Sequence, residues 1–373
     1  MVSKSLKEVV LKPITGEWGN EGNNVQILRT TNFTNEGRVN YLKVVERNVD
    51  SNKIEKKKLK IGDIIIEKSG GSPKQPVGRV VFFEKEGVFL CNNFTAILRP
   101  KLDEVVPKYL LYILYCNHKF GFTSAYQNKT TGIINLQLPK YLKGTEIPLP
   151  PLDQQKKIAS VLDAADAYRQ KTKALIEKYD ALTQSLFLDM FGDPVSNPKG
   201  WEKVKLGKIS HMKAGKFVKA SGIKSEKNLK LYSCYGGNGL RGYVESFTHE
   251  GEFLLIGRQG ALCGNIKRVN GKFHATEHAI VCSPTMKYES LWLYHMLVMI
   301  NLNKYATGAA QPGLNVGTLV DLEVMFASYN LQNQFAERVQ AIEAQKAQAQ
   351  DSLAQAEDLF NSLLQRAFKG ELV

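Results

Sequence analysis

No apolar run in this sequence is long enough to cross a membrane. The greasiest segment, Leu291 to Leu302 (LWLYHMLVMINL), falls short of the roughly 20 residues a spanning helix needs. The opening MVSKSLKEVVLKP lacks the apolar core of a secretory signal. Cysteine is sparse: Cys91, Cys116, Cys234, Cys263 and Cys282 form no CxxC pair, which suits reduced thiols. No membrane partner is therefore expected, and the expected location is the cytoplasm. Acidic residues are also in deficit, 36 against 50 Lys and Arg, giving a net charge of +14 and a pI near 9.3. Apart from KIEKKKLK at Lys53 to Lys60 the basic residues are scattered, and a surplus of this size favours a polyanionic partner, most often nucleic acid.

Signatures of chemistry are missing too. No [DN]PP[YF] motif for base amino-methylation occurs, since Asn197-Pro198 continues as Lys-Gly. Gly215-Lys216 lacks the upstream glycine and the following Ser or Thr of a phosphate loop. Asp50, Glu55 and Lys57 imitate a nuclease core but sit in a basic hydrophilic run that reads as a solvated loop. His274-Ala-Thr-Glu277-His278 matches the inverted zincin pattern H-x-x-E-H, yet its flanks read as strand, whereas that chemistry needs both histidines on one helical face. No cysteine nucleophile has a local signature. A reader is expected here, not an enzyme, and no metal site.

What is present is a repeat. PLDQQKKIASVLDAADAYRQKTKALIEKYDALTQSLFLDMF, Pro151 to Phe191, overlies Ser328 to Phe368 at a shift of 177, matching Gln155 with Gln332 and Phe191 with Phe368. Both copies lack internal Pro and Gly, so two long helices are predicted. An a/d seam runs through Ile158, Val161, Ala165, Tyr168, Thr172, Leu175, Tyr179, Leu182 and Leu186 in the first helix. In the second it runs through Phe335, Val339, Ile342, Ala349, Leu353, Ala356, Phe360 and Leu363, with Lys346 interrupting. Two seams in one chain predict that the helices pair with each other as a coiled coil.

The segments between them also correspond. Gly62-Asp-Ile-Ile-Ile66 matches Gly251-Glu-Phe-Leu-Leu255, GVFLCNNF at Gly87 matches GKFHATEH at Gly271, and Thr131-Gly132 matches Thr307-Gly308. A tandem duplication of mixed α/β domains follows, an α+β fold of pseudo-twofold plan. Its segments are 1–150 (first domain), 151–192 (first helix), 193–327 (second domain) and 328–373 (second helix). Strands are predicted at Lys60 to Lys68, Gly78 to Phe83 and Val88 to Leu98, and a helix at Pro107 to Asn117.

Glycine-supported polar loops recur in both domains: YGGNGLRGY at Tyr235 and GRQGALCG at Gly257 in the second, SGGSPKQ at Ser69 in the first. Arg, Gln, Asn and Lys on such loops are the residue types that bond base edges. Asn238, Arg241, Arg258 and Gln259 are the candidate DNA-binding residues of the second domain. Ser72, Lys74, Gln75, Asn92 and Asn93 are those of the first, with Lys129 and Gln311 on loops before the closing strands.

These segments, with TEHA at Thr276 to Ala279, IPLPPLDQQKKI at Ile147 and WEKVKLGKI at Trp201, resemble the specificity subunit of Type I restriction–modification systems over essentially the full length. The resemblance implies two target-recognition domains, each reading half of a bipartite, asymmetric double-stranded DNA site. It also implies an antiparallel helical spacer, reaching roughly 50 Å at about 1.5 Å per residue. Partners would be two methyltransferase subunits docked on the helix pair, and restriction/translocase subunits. No cofactor is expected in this chain, since S-adenosylmethionine, Mg and ATP would belong to those partners. The rivals are a zinc-dependent hydrolase built on His274, Glu277 and His278, and a coiled-coil RNA-binding or scaffold protein. A partner fusing methylation and cleavage in one chain also stays open.

Overall fold

Leu152–Phe191 and Tyr329–Lys369 form two unbroken α-helices of 40 and 41 residues. The structure, a computed structural model, describes residues 2–128, 133–308, 312–369 and 371–372. The chain divides into two compact units, Met1–Lys171 with Ser352–Val373, and Thr172–Asp351. This division cuts each long helix rather than falling at its ends, because each half-helix buries apolar side chains against the globular part beside it.

The two units share one plan. In unit 1 a four-stranded antiparallel sheet runs Ile14–Thr15, Thr95–Leu98, Ile64–Glu67, Val80–Phe82. A second sheet runs Val45–Asn48, Asn20–Leu28, Phe89–Cys91, its last pair parallel. In unit 2 the corresponding orders are Ser210–Ala214, Ala279–Pro284, Phe253–Gly257, Ile266–Val269, and Gly239–Val244, Tyr232–Gly236, Lys272–Ala275, His249–Glu250. There too one pair is parallel, Tyr232–Gly236 with Lys272–Ala275. Antiparallel clasps, Val2–Ser5 on Glu146–Leu149 and Glu202–Lys205 on Glu323–Phe326, close the units.

The Ile64-Ile65-Ile66 run shows why the strand lacks polar alternation. Ile64 and Ile66 pack with Tyr109 and Leu110 of the helix Pro107–Lys119, whereas Ile65 points to the other face among Phe83, Phe89 and Ile97. Both faces of this strand are covered, so every position is apolar. Leu254, Leu255 and Ile256 repeat the arrangement. The predicted strand Val88 to Leu98 is two strands, Phe89–Cys91 and Thr95–Leu98, in different sheets. The Asn92-Asn93 turn between them separates the two. The predicted loop around Asp50 is instead a helix, Ser51–Lys57, whose N-terminus Asp50 caps by accepting from the Asn52 and Lys53 backbone N–H groups.

A buried glutamine latches each long helix to its unit. Gln155 Oε1 accepts from the Val106 N–H at 2.9 Å and its Nε2 donates to the Pro150 carbonyl at 2.9 Å. Gln332, its repeat partner, accepts from the Glu289 N–H at 2.9 Å and donates to the Ala327 carbonyl at 2.8 Å. Val106 and Glu289 each occupy the N-cap position of the helix that follows them, where N–H groups lack helical partners.

Helix pairing is antiparallel within each unit. In unit 1, Ile158, Ala159 and Leu162 share a core with Phe360, Leu364 and Ala367. In unit 2, Phe187 and Phe191 stack edge-on against Phe335 at 5.4 and 5.5 Å, and further along Lys346 pairs with Asp180. The second helix turns inward the face read from its seam: Phe335, Val339, Ala349, Ala356 and Phe360 are buried and Ile342, Leu353 and Leu363 half-buried.

The first helix does not. Val161, Tyr168, Leu175 and Leu182 are 42–54% exposed, Ala165, Tyr179 and Leu186 only half-buried, and of the proposed seam Ile158 and Thr172 alone are fully covered. The inward face lies one residue on, through Ala159, Leu162, Asp166, Arg169, Thr183 and Phe187. Polar residues occupy its middle. Asp166 bonds Arg169 and, at 3.0 Å, Arg38 Nε, and the Arg169 guanidinium lies 4.0 Å over the Phe360 ring. Burial alone would raise the Asp166 carboxyl, but the two arginines hold it below its ordinary value. In unit 2 the repeat position Glu343 meets Arg268 at 3.3 Å.

His295, on the helix Ser290–Ile300, packs edge-on to Phe335 at 5.6 Å, and burial lowers its pKa from 6.5 to about 4. The folded value lies below the unfolded one, so the neutral ring's full contribution is present above pH 6.5 and is lost as pH falls toward 4. Unfolding titrations should show unit 2 losing about 2 kcal/mol between pH 7.5 and pH 5 through this group. His295→Met should remove that pH-dependent component.

Candidate nucleic-acid interface

Three backbone segments of unit 2 meet at the turn Thr276 to His278, where strand Lys272–Ala275 passes into Ala279–Pro284. The Arg258 N–H donates to the His278 carbonyl at 2.9 Å, and the Thr276 N–H to the Tyr235 carbonyl at 2.8 Å. The fit is tight enough to require glycine: a Cβ on Gly237 would lie 2.6 Å from the His278 oxygen, and one on Gly257 2.3 Å from the Gly237 oxygen. The strands therefore end at one place and deliver their loop side chains there.

Four sequence candidates converge on this turn. Arg258 and Gln259 leave strand Phe253–Gly257 directly beside it, and the Leu314 N–H donates to the Arg258 carbonyl at 2.8 Å. Asn238 follows Gly237 and accepts through Oδ1 from Asn265 Nδ2 at 3.1 Å. Arg241 lies across Gly236, its Cδ 2.6 Å from where a Cβ would stand. Asn238, Arg241 and Gln259 are exposed and Arg258 half-buried, with exposed Leu240 and Leu262 beside them. Long donors and apolar groups on a fixed backbone suit base edges and thymine methyl groups. Gln311 lies outside the described residues.

In unit 1 the equivalent place is the Asn92–Phe94 turn. The Ser69 N–H donates to the Phe94 carbonyl at 3.1 Å, which sets the Ser69 to Gln75 loop beside it. Ser72 and Gln75 close a tight hairpin through reciprocal backbone bonds of 2.9 and 3.0 Å, leaving Ser72, Lys74 and Gln75 exposed, with Asn93 exposed on the turn. Asn92 is different: it is buried, and Thr95 Oγ1 donates to its carbonyl at 2.7 Å and lies 3.4 Å from its Oδ1. It builds the turn and cannot reach a base. Lys129 lies outside the described residues.

Two features escaped the sequence reading. Lys213, Lys216, Lys219, Lys224, Lys227 and Lys230 line one segment with a single acid, Glu226, and all six are exposed. Its start is fixed to the site by the Lys216 N–H donating to the Ala275 carbonyl at 2.8 Å. Such a row is of the kind that can neutralise phosphates. The second is the contact of His278, weighed in the sequence only as a metal ligand, with Gln259 at 2.9 Å.

The zinc pattern does not assemble. His274 is buried with Nε2 3.1 Å from the Lys216 carbonyl, whereas His278 stands half-exposed on the turn. Among the described residues no three His, Cys, Asp or Glu groups converge as a metal site. Burial pushes the thiols of Cys91 and Cys282 up to about 11 and about 12, and that of Cys234 upward, so none is a ready nucleophile. No helix among the described residues is long and apolar enough to cross a membrane.

Comparison with known proteins gives a consistent result. The profile described as Type I restriction modification DNA specificity domain matches residues 16–178 and 198–357. The Escherichia coli Type I restriction enzyme EcoprrI specificity subunit is 50% identical over 128 residues, 34% of this chain and 32% of that protein. The putative MjaX specificity subunit of Methanocaldococcus jannaschii is 31% identical over 160 residues, 42% of this chain and 36% of that one. The chain thus spans about a third of the length of these two relatives. The crystal structure of a Type I restriction–modification S subunit from M. genitalium superposes with a TM-score of 0.62 at 18% identity, covering 97% of this chain and 94% of that one, and so shares its fold.

Proposed function

This chain belongs to the Type I restriction modification DNA specificity family, and from that premise we propose that each unit reads one part of a two-part double-stranded DNA site while partner subunits carry out methylation and cleavage. The observation that carries this reading is the glycine-locked turn of unit 2, which gathers Asn238, Arg241, Arg258 and Gln259 at the ends of three strands. The Lys213 to Lys230 row supplies phosphate contacts that fix register without reading sequence. The unit 1 loop SGGSPKQ differs from the YGGNGLRGY and GRQGALCG loops of unit 2 and carries no arginine, so its part of the site is a different sequence. Two modification subunits, with S-adenosylmethionine, Mg and ATP used by partners, complete the proposed complex. In unit 1 the exposed Val161 and Tyr168 of the first long helix, and in unit 2 its exposed Leu175 and Leu182, offer such partners apolar contacts.

The test is Arg258→Ala, assayed as methylation of a randomised DNA pool by the chain assembled with its modification subunits. Discrimination at one base pair should fall by about 1–3 kcal/mol, the size of a bidentate base contact. The change should be confined to one part of the site, with the other part read as before. An unchanged recognised sequence and affinity would remove Arg258 from the interface.

A further inference from the structure

In unit 2 the His278 ring stands between two side chains of different kinds. Its Nε2 faces Glu277 Oε1 at 3.0 Å, and its Nδ1 faces Gln259 Oε1 at 2.9 Å. A carboxylate oxygen at this distance repels a ring lone pair, so this ion-pair contact favours the tautomer with its N–H on Nε2. Glu277 Oε2 is buried and has no hydrogen-bond partner among the described residues, and the imidazole lies within ion-pair range of the same carboxylate through Oε1.

The state of Nδ1 is then the variable. In the imidazolium both ring nitrogens donate, Gln259 must accept through Oε1, and its NH2 faces outward. In the neutral ring Nδ1 has a lone pair. The contact then survives only if the carboxamide turns over, so that Nε2 donates and Oε1 faces outward. We propose that His278 sets which end of the Gln259 amide is offered to DNA, making the base preference of this part of the site depend on proton occupancy. With an outward NH2, Gln259 favours acceptors (guanine O6 and N7, thymine O4). With an outward carbonyl it favours the amino groups of adenine and cytosine.

The other ionisable groups of this turn come from the elements packed on it. They include Glu277 itself, Arg241 of strand Gly239–Val244, Arg258 of the neighbouring loop, His274 of strand Lys272–Ala275, Lys216 of the segment bonded to Ala275, and the buried Cys234, whose thiol feels both Arg241 and Glu277. Unit 1 has no counterpart, since its matching position is Phe94. His278 acts through Gln259 and is a positioning residue.

The inference rests on the DNA-reading function proposed above. Base preference at every position of the site is measured by binding competition with the full chain and its modification subunits at pH 6.0 and pH 8.5, for wild type, His278→Gln and His278→Phe. Wild type should change its preference by about tenfold, roughly one hydrogen bond's worth, at one position of the part read by unit 2. Both variants should lose that pH dependence, and the part read by unit 1 should show none in any protein. A wild-type preference indifferent to pH, or a shift that persists in both variants, overturns the proposal. Gln259→Ala separates the two ideas: if it alters preference while pH does not, only the proton switch fails. If it and Arg258→Ala alter nothing while DNA is still bound, reading by this turn fails and the switch with it.

Discussion

Phe335→Ala is expected to lower the unfolding free energy of unit 2 by about 3–5 kcal/mol, the range for emptying a fully buried aromatic site. Phe335 is fully buried and its ring meets Phe187 at 5.4 Å, Phe191 at 5.5 Å and His295 at 5.6 Å, all edge-on. It therefore joins both long helices to the helix Ser290–Ile300 at one point. No neighbour can fill the gap without leaving its own packing, since Phe187 and Phe191 are themselves fully buried. Denaturant unfolding should show the early loss of unit 2, whereas Val161→Ala, on the exposed face of the first helix, should change stability by no more than about 0.5 kcal/mol. Equal effects of the two substitutions would mean that the inward face has been misidentified.

Gln332→Leu comes next in size, at about 2–4 kcal/mol. Leucine matches the volume but leaves the Glu289 N–H and the Ala327 carbonyl buried without their partner, and an orphaned buried group costs more than a hydrogen bond yields. Gln155→Leu should do the same to unit 1 through Val106 and Pro150. Glutamate at position 332 keeps the acceptor and loses the donor, so it should also destabilise, most of all at neutral pH where a buried carboxylate is charged. Amide exchange makes the local readout: the Glu289 N–H should be protected in the wild type and exchange rapidly in Gln332→Leu. Unchanged protection would show that the glutamine is a bystander.

Much of the fold was legible because the duplication repeats its chemistry as well as its letters. Gln155 and Gln332 align in sequence and do the same job in space. The seam of the second helix was readable since it is apolar nearly throughout. That of the first was misplaced by one residue because its inward positions include Asp166, Arg169 and Thr183, while Val161, Tyr168, Leu175 and Leu182 point out. An apolar count follows the wrong stripe when a seam is held by ion pairs and the outer face is greasy. The polar loops of the site were visible through their glycines, which the close approach of three backbones demands. Asn92 was misread because an asparagine that builds a turn looks the same in sequence as one that offers its amide outward. The Gln259–His278 contact joins residues 19 apart, brought together by the pairing of Phe253–Gly257 with Ala279–Pro284, and no spacing rule announces it.

The most direct measurement is a map of methylated bases in the genome that carries this gene, compared with the same genome after its deletion. A two-part sequence with a fixed gap should carry methylation before deletion and lose it entirely afterwards, and restoring the chain with Gln259→Ala should return methylation with only one part of that sequence altered. Methylation that survives deletion unchanged, or a single continuous motif altered throughout by Gln259→Ala, would contradict the division of reading between two units.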